Sequence, residues 1–346
     1  MSATVRVSLD AMGGDNAPGE IVLGAVQAAR EYGIGVYLVG DESAIRAELA
    51  KHNTTGLDLP IVHTTEIIPM DEHNPAKAVR QKKDSSMVRA VELVKDGSAV
   101  GAVSAGNSGA MMAASLFVLK RLKGVERPAL GGVLPTKDGV CMVIDMGANT
   151  DCKPEYLQQF ALMGSIYMER ILHLSSPRVG LLANGEEEGK GNQQVQEAHQ
   201  MLKANAKTMG VNFIGNVEGR DIFAGTVDVV VCDGFVGNVV LKLSEGLSET
   251  LLGLIRAEMT RSLPNKLAAA VLRNDLRNMG KRLDYAEYGG LPLLGVNGSA
   301  IISHGRSKAK AIKNALRVAR QTAETGVANA IAEGLAKLGT EANIGD

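Results

Sequence analysis

Six short apolar runs punctuate the chain, and each ends in Gly beside Asp, Asn or Ser. Residues 5–9 lead into Asp10-Ala-Met-Gly-Gly-Asp-Asn16, 100–103 into Ser104-Ala-Gly-Asn-Ser-Gly109, and 140–144 into Asp145-Met-Gly-Ala-Asn149. Residues 179–182 lead into Ala183-Asn184-Gly185, 227–231 into Asp233-Gly-Phe-Val-Gly-Asn238, and 291–296 into Asn297-Gly-Ser299. A β-branched run, a Gly and then a helix-periodic segment read as a strand, a tight turn and a helix N-terminus. Further strands are predicted at 34–39 and 59–63. Helices are predicted over 17–32, 42–51, 75–95, 108–122, 154–172, 193–207, 236–259 and 307–337. Residues 130–134 and 140–144 read as a hairpin across Pro135-Thr-Lys-Asp-Gly139.

This alternation predicts a three-layer α/β/α unit, a mostly parallel sheet covered on both faces. No Pro/Gly/Ser-rich linker interrupts it, so residues 1–340 read as a single unit of one or two lobes. In open α/β sheets ligands bind beyond the carboxyl ends of strands, and the helix N-termini there favour anions. The repeated ending thus predicts one crevice lined by Gly, Asn, Ser and Asp, suited to a phosphate or an oxyanion.

Composition narrows the field. In 346 residues, 45% apolar and 22% charged is ordinary for a globular protein with a substantial core. Aromatics are 3%, Trp is absent and the net charge is −1, which gives base-stacking recognition of nucleic acid little support. Cys141, Cys152 and Cys232 form no CxxC pair, as expected of a protein of the reducing cytoplasm. Arg6 and Asp10 interrupt any signal-peptide core. Residues 97–119 are uncharged, but four Gly, four Ser and Asn107 within them favour strand, turn and helix over a membrane span.

Charge is unevenly placed. Residues 251–283 carry seven Lys or Arg against Glu258 and Asp275, a net of +5, and the rest of the chain is −6. Leu272, Leu276, Met279 and Leu283 fall on one helical stripe there. A basic amphipathic helical hairpin is predicted over 251–285. It suits an anionic membrane surface or an acidic partner, through Arg273, Arg277 and Lys281, or equally a dimer interface.

Gly185-Glu-Glu-Glu-Gly-Lys-Gly191 is one residue short of a P-loop and puts Gly191 where a hydroxyl is needed. No G-x-G-x-x-G follows a strand, and no G-x-S-x-G elbow occurs. Asp10, Asp15, Asp145 and Asp233 could share a metal, but helix capping and turn bonds explain them as well. No cofactor or metal is expected. Lys190, between two glycines after a strand, can reach into a crevice to neutralise an oxyanion. His304, in Ser303-His-Gly-Arg-Ser307, is placed for ligand contact.

With these segments in order, the chain closely resembles the bacterial phosphate acyltransferases of phospholipid synthesis. The matching stretches are Asp10-Ala-Met-Gly-Gly-Asp15, Ser104-Ala-Gly-Asn-Ser-Gly-Ala110, Asp145-Met-Gly-Ala-Asn149, Glu186-Glu-Glu-Gly-Lys-Gly191, Asn216-Val-Glu-Gly-Arg-Asp221, Asp233-Gly-Phe-Val-Gly-Asn-Val239, Leu293-Leu-Gly-Val-Asn-Gly298 and His304-Gly-Arg-Ser307. The resemblance implies a fold similar to phosphotransacetylase and the isopropylmalate dehydrogenases. It implies transfer of a long-chain acyl group from acyl carrier protein to inorganic phosphate, and a homodimer. The acyl phosphate would feed a membrane glycerol-3-phosphate acyltransferase, which implies a cytoplasmic protein peripherally attached to the membrane.

On that reading, phosphate is held by turns around Gly13, Gly14, Gly106 and Gly109, with Ser104, Asn107 and Ser108. Asp10, Asp15, Asn297 and His304 line the same crevice. Lys190, with Asn184 beside it, steadies phosphate or the tetrahedral oxyanion, and Asp233 and Asn238 orient these groups. The rival readings are a short-chain phosphotransacylase using acyl-coenzyme A, a metal-dependent decarboxylating dehydrogenase, and a non-catalytic membrane scaffold for lipid enzymes.

Overall fold

A computed structural model describes residues 5–283 and 285–342, without the side chains of 278, 279, 281–283, 285 and 339–342. The strands are β1 (Arg6–Asp10), β2 (Gly35–Gly40), β3 (Ile61–His63), β4 (Gly101–Ser104), β5 (Ala129–Pro135), β6 (Val140–Ile144), β7 (Arg178–Leu182), β8 (Asn212–Val217), β9 (Val229–Val231), β10 (Leu291–Leu294) and β11 (Ser299–Ile302). The helices of the first half are α1 (Gly19–Tyr32), α2 (Glu42–Leu49), α3 (Pro75–Gln81), α4 (Ser86–Lys95) and α5 (Ser108–Val118). There follow α6 (Pro154–Leu172), α7 (Gln193–Met209), α8 (Asp221–Ala224), α9 (Gly234–Thr260), α10 (Leu263–Val271), α11 (Arg273–Leu283), α12 (Ala309–Glu324) and α13 (Val327–Ala342).

Among the described residues the strands form one eleven-stranded sheet in the order β3-β2-β1-β4-β11-β10-β5-β6-β9-β7-β8. Pairing is parallel except at β11–β10, β10–β5 and β5–β6. Those three antiparallel steps reverse the strand direction. The carboxyl ends of β1, β4 and β11 therefore face one edge of the sheet, and those of β6, β9 and β7 the opposite edge.

Helices cover both faces. In the first half α1 buries Ile21, Val22, Ala25 and Ala28 on the sheet beside Ile312, Ala315 and Leu316 of α12. The two helices approach so closely that a Cβ on Gly24 would lie 2.6 Å from that of Ile312. Met87, Val88 and Val91 of α4 and Met111 and Ala114 of α5 fill the other face. In the second half α6, α7 and α13 enclose Phe160, Leu157, Leu202 and Ile331 on one face. Each such fully buried large side chain contributes about 1.5–3 kcal/mol.

Four expectations change. The sixth apolar run does not end at a helix: β10 turns through 295–298 into β11, the Asn297-Gly298 pair serving a β-hairpin. Residues 212–217 and 299–302 are strands that the periodicity missed. The closing helix is two helices, because Gly326 takes φ +65° and lets α13 swing back onto α6 and α7. Residues 75–95 likewise divide into α3 and α4 at a turn in which Asp84 accepts from Thr65.

Candidate active site

A cleft of about 440 Å³ opens over the central strands, between α5 and α9. Its floor comprises Leu130, Gly132 and Leu134 of β5, Leu291 of β10 and Ile302 of β11. The first half contributes Ser108, Gly109 and Met112 of α5 and the Ser303–His304 segment after β11. The second half contributes Met146, Gly147 and Ala148 after β6 and Asn238, Leu241, Lys242 and Glu245 of α9. The strand reversal thus brings carboxyl-end loops from both sets to a single cleft, from opposite sides.

The start of α9 is seated tightly. Asp233 caps it by accepting from the Val236 amide at 2.8 Å, and Gly234 N–H donates to Asn149 O at 2.7 Å. Gly237 lies directly against the Asp145 carbonyl, so any side chain there would displace the helix. Asn238 is thereby fixed beside Gly147, in the cleft wall. The Asp145 carboxylate is buried and accepts from the amides of Leu130, Gly147, Ala148 and Asn149 and from the Asn149 side chain. Burial raises its pKa and these donors oppose the rise. Its role is to hold the loop.

Asp10 does the same for the first half. It is buried, its Oδ2 accepts from Ser104 Oγ at 2.7 Å, and its Oδ1 accepts from Met12 N. Burial pushes its carboxyl up, opposed by the Ser86 and Ser104 hydroxyls and by the amides of Met12 and Gly13. The Gly106 amide donates to Ser104 Oγ at 3.0 Å. The amides of Gly13 and Gly106 are therefore engaged within the turns. Asn107 caps α5 by accepting from Ala110 N and donates to Met70 O. The Gly14 segment turns the chain so that Asp15 N–H donates to Gly305 O at 2.8 Å, and Asn16 donates to the Arg306 and Ser307 carbonyls. The first strand's turn is a brace for the segment that carries His304.

Of the sequence-derived candidates, Ser108, Gly109, Asn238 and His304 line the cleft. Asp10, Gly13, Gly14, Asp15, Ser104, Gly106, Asn107 and Asp233 stand behind it. Lys190 is exposed in the loop after β7, where Asn184 Oδ1 accepts from Gly191 N at 2.8 Å. Neither Lys190 nor Asn184 lines the cleft. Asn297 lies at the hairpin tip, on the opposite edge of the sheet from Ser104, and donates to the carbonyls of Leu119 and Arg121. Arg273 and Arg277 are exposed on α11, and the Lys281 side chain falls outside the described residues.

Ser303 is the residue that strand-end reading passed over. Its hydroxyl is buried, has no hydrogen-bond partner among the described residues and belongs to the cleft wall. Beside it, His304 Nδ1 accepts from Arg306 N at 3.1 Å, which places the ring proton on Nε2. Ser108, Asn238, Ser303 and His304 line the cleft together with Lys242 and Glu245 of α9, and Met112, Leu130, Leu134, Met146, Leu241, Leu291 and Ile302 supply its apolar walls. Among the described residues no three His, Cys, Asp or Glu gather to hold a metal ion. Burial pushes the thiols of Cys141 and Cys152 up to about 12, so neither is a thiolate at neutral pH.

Comparison with known proteins gives the family. A family model described as "Fatty acid synthesis protein" matches residues 5–330. A "Phosphate acyltransferase" of Geobacter sulfurreducens is 54% identical over 338 residues, 97% of this chain and 95% of that protein. One from Pelotomaculum thermopropionicum is 53% identical over 320 residues, 92% of each. Among solved structures, a phosphotransacetylase from Streptococcus pyogenes superposes with a TM-score of 0.64 at 18% identity, covering 94% of this chain and 95% of its own. The EutD phosphotransacetylase of Staphylococcus aureus gives 0.61 at 16%, covering 92% and 94%. At these identities the structural likeness speaks for the fold. The chain belongs to the fatty acid synthesis protein family and, within it, to the phosphate acyltransferases; it is an acyltransferase.

Proposed function

We propose that this acyltransferase moves a long-chain acyl group from acyl carrier protein to inorganic phosphate, releasing acyl phosphate and the free carrier thiol. The observation that carries the reading is the cleft itself: Ser108, Asn238, Ser303 and His304, with the Lys242–Glu245 pair of charges, beside walls of Met112, Leu130, Leu134, Met146, Leu241, Leu291 and Ile302. Phosphate, anionic at neutral pH, is desolvated and aimed at the thioester carbonyl. A phosphate oxygen bonds to the carbonyl carbon, the carbonyl oxygen becomes an oxyanion, and collapse of that intermediate breaks the C–S bond with the pair leaving on sulfur. A thiolate needs little help to leave, so donors rather than a general base are what the site must supply. Incubation with palmitoyl-carrier protein, phosphate and hydroxylamine tests this, since acyl phosphate is trapped as hydroxamate. Turnover on acetyl-coenzyme A with none on palmitoyl-carrier protein would favour the short-chain reading instead.

The reading extends to a homodimer held peripherally at the membrane, near the glycerol-3-phosphate acyltransferase that would consume the product. Its support is the face of α9 and α10. Leu243, Leu247, Leu251 and Leu254 are 49–68% exposed, and Leu263, Leu267 and Val271 are 65–84% exposed. Exposed apolar rows of this extent mark interaction surfaces. Among the described residues no helix is long and apolar enough to cross a membrane.

A further inference from the structure

Beyond the cleft lies a second pocket of about 400 Å³, and Met112 and Ala148 form walls of both. Its rim is cationic. Arg121 and Arg127 line it with one carboxylate, Glu126, and residues 120–127 hold Lys120, Arg121, Lys123 and Arg127 against that single Glu. Arg121 Nη1 donates to the carbonyls of Val125 and Glu126, which folds the loop back on itself and brings its charge to the rim. The Arg127 guanidinium lies over the Tyr156 ring, 5.9 Å from the centroid, and is exposed. A guanidinium steadied on an aromatic face presents its fork of donors in a fixed plane, the geometry that grips phosphate in two-point fashion.

We propose that this pocket seats the phosphate diester of a phosphopantetheine arm, whose thioester end reaches past Met112 and Ala148 into the cleft. The inference rests on the thioester-donor reading above and adds to it a binding site and a direction of entry. The shared walls support it, and the register sets how far the arm reaches. From the Leu291–Ile302 pair to the Leu294–Ala129 pair is three residues of β10, about 10 Å at ~3.3 Å per residue. Ser303 lies one step outside the first pair and Arg127 two steps outside the second, so their backbones stand six strand steps apart, about 20 Å along the sheet. The arm from phosphorus to sulfur has about thirteen backbone bonds, the length of a little over four residues, and reaches ~15 Å extended. An acyl donor anchored at Arg127 therefore carries its thioester past Met112 and Ala148, the walls common to both pockets, into the near side of the cleft, and leaves the apolar walls for its tail. Carrier protein and coenzyme A share this phosphate, so the pocket recognises the arm, and the protein surface beyond it tells the two apart.

The test compares lauroyl-phosphopantetheine with lauroyl-pantetheine, which lacks the phosphate, as donors to inorganic phosphate. The wild-type KM is expected to be about tenfold lower for the phosphorylated donor, and in Arg127→Glu that advantage disappears. Lauroyl-carrier protein should lose affinity in the same proportion. An advantage that survives in the variant overturns the proposal, as does a loss confined to carrier protein, which would mean that Arg127 meets protein and not the arm. Calorimetric titration with 4′-phosphopantetheine alone separates this inference from the function it rests on. Binding that Arg127→Glu abolishes upholds the pocket even if no acyl phosphate forms. Acyl phosphate formation with no titratable binding upholds the function and overturns the pocket. Arg127 is exposed, and an unchanged melting temperature shows that the variant is folded.

Discussion

A buried hydroxyl without a partner costs roughly 1–3 kcal/mol, and Ser303 is in that condition at the cleft wall. An oxygen of bound phosphate would remove the deficit. Ser303→Ala should therefore raise the KM for phosphate about tenfold with little change in the KM for the acyl donor, and leave the melting temperature equal or higher. Steady-state kinetics with each substrate varied in turn checks this; equal effects on both constants would point to a general loss of shape. The neighbours of Ser303 were legible in the sequence. Ser108, Gly109, Asn238 and His304 follow strand ends and glycines, where local pattern forecasts exposure to a crevice. Ser303 was not singled out, because its significance comes from burial against Gly290 and Ser104, residues remote in sequence.

At the scale of elements, the β5–β6 hairpin and most helices follow from periodicity and turn chemistry, α6 with both ends as expected. The sixth strand ending misled because Gly beside Asn serves a hairpin and a helix start equally, and only pairing of β10 with both β11 and β5 decides between them. Strand direction was likewise hidden, since the reversal at the centre of the sheet has no local signature. One ion pair closes the second half of that sheet. Arg178, at the start of β7, makes a two-point bond to Asp228, just before β9, with distances of 2.9 Å. Burial alone would raise the Asp228 carboxyl, but the Arg178 side chain and amide outweigh it and hold the pKa below its ordinary value. A carboxyl so lowered stabilises the fold above its unfolded pKa, and that contribution is lost as pH falls through the folded value. Melting temperature should drop on acidification below about pH 4, and Asp228→Asn should show a smaller drop from a lower starting point. Parallel curves for the two proteins would remove Asp228 from the account.

The whole molecule is a sheet of two opposed halves sharing one cleft, with an apolar and basic projection formed by α9, α10 and α11. Composition alone located the charge of that projection. Its exposed leucines could not be read from periodicity, because a stripe facing solvent and a stripe facing a core look the same along the chain. Reversing two charges, in Arg273→Glu/Arg277→Glu, should weaken binding to vesicles containing anionic lipid or raise the KM for acyl-carrier protein. Co-sedimentation and donor kinetics read the two effects, and no change in either would take these arginines out of both roles.

The kinetic predictions rest on acyl transfer from a carrier-bound thioester to phosphate. The most direct test is a single incubation of the purified protein with palmitoyl-carrier protein, phosphate and hydroxylamine. The account predicts palmitoyl hydroxamate that requires both phosphate and the protein, with carrier thiol released in equal amount. Thiol release without hydroxamate, or neither product, would contradict it.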